Sequence, residues 1–268
     1  MAFSNDLCED GGAIRREAKR RKKLFDEKSP ESNRSGNRIR IIGYDKNNDY
    51  DSNLHHIPGE TVDTINGKRS PYLSLFIHAP FKSDLLRGQA DKDCNAASIV
   101  AQMSFSQAPQ GSPVAQFIFG GDADHYVWEK VLEKSKQNGN ESKLHWDLFL
   151  APHHCSWSFF NDRPQEDNPT PQDYALEFLD YGNTGGHIIA SSKKIEDKKP
   201  NPPHFAAKEE YEKKVGIARF KNTATHVDEK APQPLVYLID ENGPRLQKKA
   251  ITASESVLNV SIPRAGHK

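Results

Sequence analysis

Two stretches decide how this chain reads: Gln116-Phe117-Ile118-Phe119-Gly120-Gly121-Asp122-Ala123-Asp124-His125, and Trp146-Asp147-Leu148-Phe149-Leu150-Ala151-Pro152-His153-His154-Cys155-Ser156. Each is a short apolar run that breaks off at Gly or Pro and ends in carboxylate or imidazole side chains, the pattern of a buried strand leading to the lip of a sheet. Between them, Tyr126 to Lys136 has helical periodicity. A strand, helix and strand in this order predict a parallel pair with its polar groups collected at the carboxyl ends of the strands.

Working outward, the spacing predicts strands at Ile39–Tyr44, Tyr72–His78, Ala96–Phe105, Val114–Phe119, Asp147–Leu150 and His187–Ala190. The turn-prone Gln107 to Pro113 joins two of these as a hairpin, and a second hairpin is expected from Pro234–Ile239 and Leu246–Thr252, turning at Glu241-Asn242-Gly243. Helices are expected over Gly12–Lys28, Tyr174–Leu179 and Ala206–Lys214, and Asp45 to Gly67 reads as a mobile polar insertion. The expectation is a basic helix and loop over residues 1–36, then one α/β unit with polar insertions over residues 37–268.

Lys plus Arg and Asp plus Glu are 37 each, which argues against a globally basic nucleic-acid binder. The basic run is local: Arg15, Arg16, Lys19, Arg20, Arg21, Lys22 and Lys23 share one helix, where they form either a solvated face or a contact surface. Three cysteines without paired spacing fit a reducing cytoplasm. No apolar run approaches the ~20 residues of a membrane span.

Asp122 follows a glycine pair, where small residues admit the close approach of another backbone or a cation. Asp122 or Asp124 would equally serve as the N-cap of the following helix. His153-His154 places at least one imidazole at the sheet edge, as a metal ligand or as a hydrogen-bonded packing pair. Cys155 has no paired base and reads as an inert thiol. His55-His56 and His78 have no ligand spacing and read as surface or packing histidines.

The double motif, with Asn95-Ala-Ala-Ser98-Ile-Val ahead of it, resembles the metallo-β-lactamase fold metallohydrolases, in particular the subgroup containing the hydrolase domain of DNA-uptake channel proteins. The likeness runs from Asn95 to Ile189. It implies an αββα sandwich and two divalent ions, zinc or another divalent metal. Asp122 would be the bridging carboxylate and His153 or His154 the late histidine ligand, with His154 the better match to the family form. Asp124 and Ser156 would support the ligands, and His204 would lie near the substrate cleft. The implied reaction is hydrolysis of a phosphodiester or another ester by a metal-activated water. The family's His-x-His-x-Asp-His signature is absent from the sequence. The expectation is therefore a sandwich incomplete at its N-terminal side, a truncated ligand set, and a separate N-terminal half or protein partner. The rival expectation is a non-catalytic interaction module that contacts a protein or nucleic acid through its basic helix.

Overall fold

A computed structural model of the chain describes residues 9–44, 51–90, 94–163, 169–197 and 201–247. Cys8, the Asp45 and Asp49 part of the polar insertion, and the Lys248 to Thr252 end of the expected second hairpin lie outside them.

The body is a seven-stranded mixed sheet whose strands neighbour one another in chain order: β1 (Thr61–Val62), β2 (Leu73–Ala79), β3 (Val100–Phe105), β4 (Ala115–Phe119), β5 (Trp146–Leu150), β6 (Gly182–Ala190) and β7 (Phe220–Asn222). From β1 to β4 every pairing is antiparallel, and from β4 to β7 every pairing is parallel. The changeover has a local cause. A short turn suffices between β3 and β4, whereas each later connection carries a helix: α3 (His125–Gln137), α4 (Asp173–Asp180) and α5 (Phe205–Val215). Right-handed crossovers that always step the same way along a sheet put their helices on one face. Phe149 of β5 shows this, because its ring meets Trp128 of α3 at 5.5 Å, Phe178 of α4 at 5.2 Å and Tyr211 of α5 at 6.3 Å.

Register defines the two faces. Phe76, Gln102, Ile118, Phe149, Ile188 and Phe220 pair in one row across the sheet, and all are buried under the helices. The row on the opposite face is Leu75, Met103, Phe117, Leu148 and His187. Its His187 Nδ1 is 2.7 Å from the Tyr237 hydroxyl, which sets the C-terminal hairpin (Tyr237–Asp240 with Gly243–Leu246) over that end of the sheet. Leu75, Met103 and Phe117 are only half-buried.

Helix α1 (Glu9–Asp26) buries none of its side chains. Helix α2 (Lys82–Ala90) is held to α3 by an ion pair between Lys130 and the fully buried Asp84 carboxylate.

Three expectations need correction. Ala96–Ala97 lie in a 3-10 turn, so β3 starts at Val100. Of Ile39–Tyr44 only Ile41–Ile42 is extended, paired in parallel with His55–His56. The described part of the Asp45–Gly67 insertion is structured: it supplies β1, and Thr64–Ile65 forms a ribbon with Lys68–Arg69. Residues without periodic apolar spacing are paired here through backbone hydrogen bonds, which leave no trace in composition. The hairpin between β3 and β4 follows the sequence reading; the second hairpin does turn at Glu241-Asn242, but its return strand is Gly243–Leu246 and so begins inside the expected turn. Among the described residues no helix is long and apolar enough to cross a membrane.

Candidate functional site

The parallel register of β4, β5 and β6 brings three chain exits together. Phe117 pairs with Leu148 and Ile118 with Phe149, so the residues after β4 lie beside those after β5, and the His153 amide donates to the Gly121 carbonyl at 2.9 Å. Leu150 pairs with Ile189, which sets Ser191 beside the same turn. Asp122, His153 and His154 therefore share the carboxyl-terminal lip of the parallel strands, where open α/β sheets gather their sites.

The turn that carries the histidines is strained. His153, His154 and Cys155 all have left-handed backbone, with φ of 47°, 56° and 68°. For a residue with a Cβ this conformation costs about 1–2 kcal/mol, and such residues cluster at functional sites where the surroundings hold them. The surroundings do so here. Besides the His153 amide, the His204 amide donates to the Cys155 carbonyl at 2.9 Å and the Ser156 amide donates to the Pro152 carbonyl at 3.3 Å. Cys155 is fully buried, and desolvation pushes its thiol up to about 12, so it is inert as a nucleophile or thiolate ligand.

The two histidines have different surroundings. His154 Nδ1 lies 2.7 Å from the Ser191 carbonyl, which can only accept, so Nδ1 carries a proton and Nε2 is the ring nitrogen turned outward. That Nε2 lies 4.0 Å from Asp122 Oδ1, and both side chains are open to solvent. His153 Nδ1 instead sits 3.4 Å from the Ser158 hydroxyl. On this geometry His154 is the residue turned toward Asp122. Its partner on Nδ1 is the backbone carbonyl commonly found behind a ligating imidazole.

The remaining candidates have structural roles in view. Asp124 caps α3, accepting from the Val127 amide at 3.2 Å. Ser156 Oγ accepts from the Ser158 amide at 3.1 Å and caps the turn after the histidines. His204 Nδ1 accepts from the Ala206 amide at 3.2 Å and caps α5. His78 is buried beneath α3, with Nε2 3.0 Å from the Lys143 carbonyl, and His56 faces Glu60.

Ser98, Ser158 and Ser191 are the contributors that sequence reasoning missed. The Ser98 hydroxyl accepts from the Asp122 amide at 3.1 Å and fixes the backbone of that loop. The Ser191 contribution is a main-chain carbonyl, for which no residue type is a signal. The glycine pair also has another purpose than admitting a cation. A Cβ on Gly120 would lie 2.3 Å from the Trp128 ring, and Gly121 has φ +52° with Ser98 against it.

A zinc ion bound by Asp122 and His154 with bonds of about 2.1 Å and tetrahedral angles would need its two donor atoms about 3.4 Å apart, so the 4.0 Å pair is slightly wide. Donor number is the larger mismatch. Among the described residues, no three His, Cys, Asp or Glu side chains converge where an ion could sit, whereas catalytic zinc takes about three protein ligands. The described residues alone do not fit the ion, and no reaction step is assigned to them. No family model, no curated protein and no solved structure matches this chain.

Proposed function

We propose that this chain is of metal-dependent hydrolase lineage, with the metallo-β-lactamase fold, and that its Asp122–His154 edge is one part of a metal site completed by another polypeptide. The observation that carries this reading is His154 Nε2 facing Asp122 Oδ1 at 4.0 Å, with the imidazole oriented from behind by the Ser191 carbonyl. A structural histidine at a solvent-open lip has no need of a strained left-handed turn. A ligand does, because the turn fixes where the ring points.

The half-buried apolar row on the sheet supports the second part of the reading. The helices cover one face, and Leu75, Met103 and Phe117 on β2, β3 and β4 stay partly open on the other. A second layer on the other face would turn this sheet and its helices into half of an αββα sandwich, and would bring further donors to the same lip. The reaction class is hydrolysis of a phosphodiester or another ester by a metal-activated water, with zinc or another divalent ion as the cofactor.

The test is zinc titration of the purified chain, wild type beside His154→Ala, His153→Ala and Asp122→Ala. Weak binding that His154→Ala and Asp122→Ala abolish and His153→Ala retains is the expected result. Equal zinc uptake by wild type and His154→Ala would sink the assignment. Adding a chain that bears the His-x-His-x-Asp-His signature is expected to raise zinc affinity and to bring metal-dependent esterase or phosphodiesterase activity.

A further inference from the structure

We propose that the N-terminal unit, α1 together with the Arg34–Arg40 segment against it, docks the phosphate backbone of a nucleic acid. Charge is the first argument. Between Glu9 and Tyr44 there are eleven Lys and Arg against six Asp and Glu, a net charge of +5 in a chain whose total is zero. The compensating acidic excess lies elsewhere, so this unit is an electropositive pole on a neutral protein, and such asymmetry steers polyanions.

Arrangement is the second argument. Arg16, Lys19 and Lys23 stand at i, i+3 and i+7 and share one helical face, and all three are exposed. Glu17 is turned away from that face, where Arg20 and Arg21 hold it at 2.8 Å, and these two hydrogen-bonded arginines keep its carboxyl down at about 2. The pairs Lys22–Asp26 and Lys23–Glu27 are open to solvent, and exposed pairs of this kind are worth little and exchange readily for phosphate. The patch continues off the helix. Arg20 donates to Asn37 at 2.7 Å and Arg21 to the Arg38 carbonyl at 3.3 Å, while Arg38 reaches Asn66 of the Thr64–Arg69 ribbon at 2.7 Å. Arg34 and Arg40 are exposed on the same segment.

No side chain of α1 is buried, so its exposed Arg16, Lys19 and Lys23 fill no core position. A membrane-surface helix would show a broad apolar face with Trp, Phe or Leu beside its basic one. Here Ile14 is the large apolar side chain left exposed on α1. Point-charge contacts to phosphates need no such face.

This inference does not depend on the metal reading, and it is tested separately. The full chain is titrated against fluorescein-labelled DNA, single-stranded and duplex, by anisotropy over a sodium chloride series. Binding is expected to weaken with a log–log salt slope of about −3 for duplex, about one phosphate for each of Arg16, Lys19 and Lys23. The variant Arg16→Glu/Lys19→Glu/Lys23→Glu, with helix content checked by circular dichroism, should lose at least ~10-fold in affinity at low salt. Lys213→Glu, an exposed change on α5, should leave it unaltered. Undiminished binding by the triple variant overturns the proposal, as does no binding at low salt. Capture by phosphatidylserine vesicles without capture by DNA also overturns it, in favour of a membrane surface.

Discussion

At the scale of single residues, Gly120 and the three left-handed residues show two ways in which a position becomes intolerant of change. Gly120 is a packing requirement. A methyl there would sit inside the contact distance of the buried Trp128 ring, which Phe149, Phe159 and Phe178 hemmed in from other sides. Gly120→Ala is therefore expected to destabilise the fold by about 1–3 kcal/mol or more, read as a shift in urea midpoint at unchanged slope. A change below ~0.5 kcal/mol would show that the ring moves aside freely. His153 is a conformational cost instead. Glycine adopts its backbone without penalty, so His153→Gly is expected to raise stability by up to about 1 kcal/mol. Either outcome separates strain held for a purpose from strain that the turn's hydrogen bonds have made irrelevant.

At the scale of elements, α3 is pinned to the sheet by contacts that depend on protonation. His78 on β2 is buried, with Ser135 of α3 3.4 Å from its Nδ1, and burial lowers its pKa to about 4. The folded state thus binds its proton less readily than the unfolded chain, whose histidine titrates near 6.5. Between those two values the unfolded state carries more protons, so stability is whole at neutral pH and falls as pH drops from about 6.5 to about 4, by roughly 3 kcal/mol in all. Half-buried His187 shifts in the same direction and adds to the trend. Urea unfolding at pH 7 and pH 4.5, wild type against His78→Gln, measures this. The variant's loss on acidification should be visibly smaller, and an identical pH dependence in both proteins would assign the effect to other groups.

For the whole molecule, the question is what the sheet's second face meets. The hairpin carrying Tyr237 covers the His187 end, and Leu75, Met103 and Phe117 remain half-buried beside it. Contiguous apolar surface of this sort marks an interaction site or an association hazard. Met103→Lys/Phe117→Lys is expected to reduce binding of a hydrophobic dye and concentration-dependent association in light scattering. Its stability cost should stay under about 2 kcal/mol, since these side chains are partly in water already. A loss of several kcal/mol would mean that the face is packed within the chain, and would remove the support it lends to a second layer.

Much of this architecture was legible because it rests on local chemistry. The apolar runs of β4 and β5, the helix between them and the turn residues around Glu241 declare themselves, since period, length and breakers act within a few residues. The meeting of Asp122 with the His153-His154 pair was legible in outline for the same reason, both lying just past strands that a parallel crossover sets side by side. Other features were decided only in three dimensions. His154 rather than His153 turns toward Asp122 because the β5–β6 register supplies a carbonyl at Ser191, and a main-chain acceptor has no residue type. Asp124 caps a helix, Gly120 makes room for Trp128, and the Thr61–Val62 strand joins the sheet through contacts with residues distant in the chain. Patterning within a window determines which segments become strands and helices. Which side chains then face one another depends on register and strand order, and those are set by the packing of the whole sheet.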